Sequence, residues 1–437
     1  MTSLTQPGTT TAAPATAGQR LMSVDALRGF DMFWIIGADS LVAALNRMSH
    51  TPVTSFLASQ LEHADWEGFH FYDLIFPLFV FIVGVSLVFS LTRTIEGVGR
   101  AEALKRIFRR GILLFLLGIF YSGGFSSPWP DMRLMGVLNR IALAYFFAGL
   151  LFCFFRPRAL VGICAGLLVG YCALMSFVPI RDIQLTRSNI ARLAEQAGDG
   201  ETAAYFAERN SPNPSTVKNS PAWAAAQKLF SATTNRVTGK FGKGYNLSDH
   251  IDFQYLPGKK YDTFFDPEGF LSTIPAVATC LLGVSAGLLL KNQTVDDRRK
   301  VFCLLIFGLA GVVAGWLWNF QFPVIKKIWT SSYVLVAGGY SAILLGAFYW
   351  VIDVWQKRAW CQPLVWIGMN SITIYLTKNI LGGFGRVGAR FVGGDIKSFF
   401  DARVASGFGE LAISIIGLLL AFWFVRFLYQ KKIFLRL

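Results

Sequence analysis

Apolar residues fall in long blocks separated by short polar links, unlike the alternation of a strand or the one-sided stripe of a soluble helix. A helix needs about 20 residues to cross the hydrocarbon layer. On that measure the blocks predict ten membrane helices, near residues 22–46, 72–92, 110–122, 134–155, 158–179, 269–290, 300–320, 330–353, 363–383 and 409–429. The third is short, and the ninth carries many hydrogen-bonding side chains. The expected fold class is an all-α polytopic membrane protein. Residues 1–18, rich in Thr, Ala, Pro and Gly without an apolar run, read as a disordered tail with no cleavable signal. Residues 19–179 hold the first five helices, and 269–437 the other five. The polar stretch 180–268 reads as a small extracytoplasmic cap, with Ala-rich helical pieces near 189–208 and 221–229 and Phe241, Tyr245, Phe253, Tyr255, Tyr261, Phe264 and Phe265 to pack it.

Composition agrees: 54% of the 437 residues are hydrophobic, 15% are charged and mean hydropathy is +0.47, which excludes an ordinary water-soluble domain. The formal net charge of +15 does not point to nucleic acid, because the basic residues are spread over short links rather than gathered in one patch. Arg93, Arg100, Lys105, Arg106, Arg109 and Arg110 fall on one inner link, and Arg156 and Arg158 on the next. Lys291, Arg298, Arg299 and Lys300, then Lys357 and Arg358, then Lys431, Lys432 and Arg436 complete the alternation. By the positive-inside bias this predicts a multi-pass protein of the inner (cytoplasmic) membrane with both termini cytoplasmic, the bilayer being its first partner. His50, His63, His70 and His250 then lie on the outer side. The cysteines sit in or beside predicted helices, so no disulfide framework is expected, and no metal-ligand spacing is present.

An ionised side chain at mid-bilayer costs about 2.5–3.5 kcal/mol, so each needs a partner or a purpose. Asp25, Arg28 and Asp31 stand at i, i+3 and i+6, where Arg28 can bridge to either carboxylate or bind an anionic ligand. Asp39 has no basic residue within a turn and reads as lining a cavity shared with His63. That histidine lies in Leu61-Glu-His-Ala-Asp-Trp-Glu-Gly68, among Glu62, Asp65, Glu67 and Asp73, with Trp66 offering a stacking face of the kind that binds sugar rings. Asp73 either supports His63 or caps the second helix. Arg140, beside Asn139, binds an oxyanion or pairs with a first-helix carboxylate. Glu268, in Asp266-Pro-Glu-Gly269, suits a helix N-terminus or a cationic amine. Asn370, Ser371, Tyr375 and Lys378 must face protein or water. Arg106 and Arg110, one turn apart, serve topology or dock a polyanion such as a nucleotide cofactor.

Ser23-Val-Asp-Ala-Leu-Arg-Gly29, His63-Ala-Asp-Trp-Glu-Gly68 and Asp73-Leu-Ile-Phe-Pro-Leu-Phe-Val-Phe-Ile-Val-Gly84 together resemble the heparan-alpha-glucosaminide N-acetyltransferase family of transmembrane acyltransferases. Gly136-Val-Leu-Asn-Arg140, Asp266-Pro-Glu-Gly269, Lys327-Ile-Trp-Thr-Ser-Ser-Tyr333 and Gly368-Met-Asn-Ser371 extend the resemblance over nearly the whole membrane portion. It implies transfer of acetyl from cytosolic acetyl-CoA, with no metal, to the amine of a glucosamine-type sugar or glucosamine-terminated glycan on the far side. His63 matches the family's catalytic histidine, and Asp39 stands where the family has an asparagine, leaving a carboxylate to orient His63 or attract an amine. The family's lysosomal members have a further luminal N-terminal domain, expected to be missing from this bacterial-type chain; a homodimer is also implied. On this reading His63 is the general base, with Asp39 beside it. Trp66, Asp73, Glu268 and Asn139 hold the acceptor, while Arg28, Arg106, Arg110, Arg140 and Asn370 hold the cofactor. The rival readings are an amino-sugar (N-acetylglucosamine) transporter, which needs two alternately open halves, and a non-catalytic scaffold.

Overall fold

A computed structural model describes residues 21–49, 51–126, 128–208 and 220–435; the tail 1–18, His50 and Arg436 lie outside the described residues. The chain opens with α1 (Met22–Phe33), a π-helical turn (Trp34–Ala38), α2 (Asp39–Ser49) and α3 (Pro52–Gln60). After the loop 61–70 follow α4 (Phe71–Val98), α5 (Arg100–Tyr121), α6 (Val137–Phe154) and α7 (Pro157–Phe177). The polar segment forms β1 (Ile180–Arg181), α8 (Arg187–Gln196), α9 (Gly200–Ala207), α10 (Pro221–Ala232), β2 (Arg236–Val237) and α11 (Leu247–Tyr255). Then come α12 (Thr273–Lys291), α13 (Asp297–Trp318), α14 (Ser331–Tyr349), a second π turn (Trp350–Val354), α15 (Gln362–Met369), α16 (Ser371–Leu381), α17 (Phe384–Val392), α18 (Asp395–Arg403) and α19 (Phe408–Gln430).

Among the described residues α4, α6, α7, α12, α13, α14 with its π turn, and α19 are long and apolar enough to span a bilayer, so the chain is an all-α multi-pass membrane protein. The other three predicted spans differ in form. Span 110–122 is the distal half of α5, which continues back through the basic link to Arg100 because Arg, Lys, Glu and Ala are all good helix formers. Span 22–46 breaks at the first π turn, where Gly37 adopts φ 141°. The ε-amine of Lys378 donates to the Ile35 carbonyl inside that turn. Span 363–383 breaks at Asn370, between α15 and α16. The short helices α17 and α18 were not anticipated.

In lipid, helices gain little from hydrophobicity against one another, so close approach depends on small residues. A Cβ on Gly84 of α4 would meet the Cys280 carbonyl at 2.0 Å, and one on Gly283 of α12 the Phe81 carbonyl at 2.0 Å. The same happens where α1 crosses α15: a Cβ on Gly29 would lie 1.7 Å from the Leu364 carbonyl, and one on Gly368 1.9 Å from that of Asp25.

In the polar segment, the described residues 180–208 and 220–268 pack against the end of α7, where Ile180 and Leu247 meet Tyr171 and Met175. β1 pairs with β2 in antiparallel register, Ile180 opposite Val237. Phe206, Phe230, Phe253, Phe264 and Phe265 form a buried core, whereas Tyr255 and Tyr261 are exposed. A charged clamp ties this cap to the bundle. Asp252 of α11 accepts from the amides of Phe270 (3.0 Å) and Asp266 (3.3 Å). Arg133 donates to both oxygens of Asp266 (2.8 and 2.7 Å) and to Glu268 (2.6 Å). Arg140 of α6 donates to the Gly269 carbonyl at 3.4 Å and to the Ser272 hydroxyl, with Trp329 stacked 4.8 Å from its guanidinium.

Two outcomes follow from this packing and charge. Gly368→Ala should lower the thermal midpoint in detergent by several degrees through the blocked α1–α15 contact, while Gly162→Ala, with nothing within 4 Å of its added methyl, should not; equal midpoints would refute the close-packing account. Burial raises Asp252 to about 7 and also raises Glu268, where the neighbouring Asp266 charge adds to it. Both carboxyls are therefore more readily protonated folded than unfolded, so their contribution to stability is full at acid pH and is lost as pH rises through about 7. His250, lowered to about 4 by burial, works in the opposite sense below its unfolded value. Each group sets a slope of about 1.4 kcal/mol per pH unit, and two outweigh one. Unfolding scans from pH 5 to 7.5 should show a falling midpoint, flattened by Asp252→Asn.

Candidate active site

Asp73 occupies the first turn of α4 and is fully buried. Its Oδ2 accepts from the backbone amides of His70 (3.0 Å) and Ala64 (3.3 Å), closing the helix N-terminus over the preceding loop. Its Oδ1 lies 2.9 Å from Nδ1 of His63. Capping and support of His63 were alternatives in the sequence; one carboxylate makes both sets of contacts with different oxygens. The loop 61–70 is fixed from the far side as well, by the Gly68 amide on the Val324 carbonyl (2.9 Å) and a bridge between Glu67 and Ile325.

The His63 side chain is half exposed, with its ring tilted 40° against that of Tyr72 at 4.9 Å. The Tyr72 hydroxyl reaches Asp39 at 3.4 Å, so Asp39 adjoins His63 only through this phenol; its other oxygen accepts from the Ser40 amide at 2.7 Å. Lys326, in the link between α13 and α14, completes the cluster. Its amine is 2.8 Å from His63 Nδ1, 3.1 Å from His63 Nε2 and 3.3 Å from Asp73. Burial lowers its basicity below that of an ordinary lysine, and the Asp73 charge opposes that.

His63, Tyr72, Glu268 and Lys326 stand at one end of a cavity of about 270 Å³. Met32 and Ile35 from the first broken helix, Ile75, Phe76 and Phe79 from α4, Val137, Leu138 and Ile141 from α6, and Ser371, Ile372 and Tyr375 from α16 form its remaining wall. A polar mouth thus leads into an apolar slot between membrane helices. Ile141 and Tyr145 lie four residues apart on one face of α6. Tyr145, one turn beyond Ile141, carries the Arg110 guanidinium 4.8 Å from its ring centroid.

The other predicted residues are elsewhere. Trp66 donates to the Phe241 carbonyl (2.8 Å) and meets Phe265 edge-on, so its ring packs into the cap. Asn139 donates to the Phe115 carbonyl (2.9 Å), joining α6 to α5. Asn370 bonds the Trp366 carbonyl (3.1 Å) at the α15–α16 break. Arg28 takes Asp25 (3.2 Å) and the Ser86 hydroxyl (2.6 Å). Its expected alternative, Asp31, is fully buried, and its carboxylate oxygens have no hydrogen-bond partner among the described residues. Arg140 belongs to the cap clamp rather than to a first-helix carboxylate. Arg106 bonds Thr94 (3.2 Å), and the Nε of Arg110 has no hydrogen-bond partner among the described residues.

Sequence reasoning missed Lys326, Arg133 and Tyr72. A signal for the first two existed: both are basic residues in links read as outer, where the positive-inside bias disfavours them. A cation on the wrong side of that pattern needs an anionic partner, and these have Asp73 and the Asp266–Glu268 pair.

Residues 20–189 match the family model described as heparan-alpha-glucosaminide N-acetyltransferase, catalytic. The chain is 28% identical over 340 residues to heparan-alpha-glucosaminide N-acetyltransferase of Mus musculus, an alignment covering 74% of this chain and 50% of the mouse protein. Against the Homo sapiens protein of the same name it is 29% identical over 339 residues, covering 74% and 49% respectively. The chain therefore spans about half the length of the curated relatives it matches. His63, Asp73 and the α4 wall of the cavity all fall within residues 20–189, the part of the chain that is similar to the heparan-alpha-glucosaminide N-acetyltransferase catalytic family model.

Proposed function

We propose that this protein is an acetyltransferase that moves an acetyl group from cytosolic acetyl-CoA to the amine of a glucosamine-type sugar on the extracytoplasmic side of the membrane. The observation that carries the reading is the His63–Asp73 pair at the polar mouth of an apolar cavity among membrane helices. Amide formation needs a neutral amine, a base to collect its proton, and a group that stabilises the oxyanion. Asp73 accepts a hydrogen bond from the Nδ1–H of His63, which leaves the Nε2 lone pair as the base. Glu268 at the mouth, and Asp39 behind Tyr72, attract the acceptor as an ammonium ion before His63 deprotonates it. Lys326 is the cation placed to stabilise the developing oxyanion.

The thioester arm enters along Phe79 and Ile141, and the nucleotide end lies towards Arg110 and Arg106. Along α6 the lining of the cavity includes Ile141 but not Tyr145, one turn further on, where Arg110 is held, so admission of the arm requires that turn to open. Both termini are cytoplasmic in this scheme, as the alternation of basic links supports. Release of free thiol from acetyl-CoA in the presence of glucosamine tests the proposal. His63→Ala should lower the rate about 100-fold or more, and Asp73→Asn should lower it by less. Undiminished release by the His63 variant would remove the base from the mechanism. Sugar accumulation in vesicles without thiol release would favour a transporter.

A further inference from the structure

The group nearest both ring nitrogens of His63 is a primary amine, the same kind of nucleophile that the proposed reaction consumes. Lys326 Nζ lies 3.1 Å from Nε2, the atom left as the base once the Nδ1–H donates to Asp73, and 2.8 Å from Nδ1 itself. It also lies 3.3 Å from Asp73, and its side chain, one-fifth exposed, lines the cavity with His63, Glu268 and Tyr72. The adjacent Lys327 is committed elsewhere, at 2.7 Å from Asp262. Lys326 Nζ therefore lies over the imidazole within reach of both ring nitrogens, and a rotation of its side chain is needed to bring it into line with the Nε2 lone pair, where an incoming ammonium ion would be deprotonated. Its lowered basicity, caused by burial and opposed by Asp73, makes the neutral amine more accessible than that of an exposed lysine.

We propose that Lys326 is an internal acyl acceptor: with an acetyl thioester in the cavity and no acceptor sugar, the protein acetylates its own Lys326 Nζ. His63 Nε2 first takes one proton from the ammonium and passes it to solvent. The freed lone pair attacks the thioester carbonyl, the carbon–nitrogen bond forms, and the carbon–sulfur bond breaks. A second proton leaves the nitrogen through His63 to the departing thiolate, giving free thiol and N-acetyl-lysine with no other reactant. The product has lost the cation facing Asp73 and holds an acetyl group where the acceptor would enter, so a chain so modified transfers slowly. The inference rests on the acetyltransferase reading, because it needs the thioester in this cavity.

The test uses the full chain in detergent with isotopically labelled acetyl-CoA and no sugar, followed by peptide mass mapping. Lys326 should gain one acetyl group at least about tenfold faster than the exposed Lys105 and Lys240. Excess glucosamine should suppress the labelling, and His63→Ala should abolish the preference. Thiol release with glucosamine is measured on the same preparation. An unlabelled Lys326 alongside glucosamine-dependent release overturns the internal acceptor and leaves the acetyltransferase standing. Absence of both labelling and release overturns both. Label on His63 instead, or on Lys326 no faster than on the exposed lysines, also overturns the proposal.

Discussion

The buried carboxylate of Asp73 is the contact on which the cap end of the bundle depends. It sits at the start of α4, yet its two oxygens gather an imidazole, two loop amides and a lysine. Its backbone carbonyl accepts from Tyr333 of α14 at 2.8 Å, which adds a third stretch of chain. A carboxylate with no exposed surface is tolerable only when its charge and lone pairs are answered. Here the answer comes from groups far apart in sequence, and it fixes the loop 61–70 against the link that bears Lys326.

The slot below that mouth exists because two helices are broken. Continuous helices bury their backbone polar groups and pack into closed bundles. The π turn at Trp34–Ala38 and the break at Asn370 interrupt α1 and the α15–α16 pair, and both flank the cavity through Ile35 and Ser371. The freed carbonyl of Ile35 is met by the Lys378 amine of α16, so a polar side chain of one broken helix serves the irregular backbone of the other. Elsewhere the helices approach closely at Gly84, Gly283, Gly29 and Gly368.

Electrostatics at the mouth are arranged as two adjoining networks. One joins His63, Asp73 and Lys326; the other joins Arg133, Arg140, Asp252, Asp266 and Glu268 and holds the cap down. Glu268 faces the cavity while bound to the second network, which places a carboxylate beside a lysine and an imidazole without burying any of them alone. In a site of low dielectric, close charges of opposite sign hold one another in register and respond strongly to any change in one member.

Much of this architecture was legible in the chain. Long apolar blocks admit only helices in a bilayer, so the class and most helix positions followed from hydropathy, and the flanking carboxylates marked His63. Distant pairing was not legible. The period of an apolar block does not tell which helix it meets, so the bonds from Asn139 to the Phe115 carbonyl and from Trp66 to the Phe241 carbonyl were not readable from the chain. Asp31 and Asp25 are equivalent neighbours of Arg28 by spacing; packing gave Arg28 to Asp25. Lys326, 263 positions from His63, reached the imidazole only through the tertiary fold. By itself the sequence determined what must leave water, because burial is a property of each segment's own composition. Which charges meet once there was decided by the tertiary structure, because pairing depends on how segments distant in the chain cross.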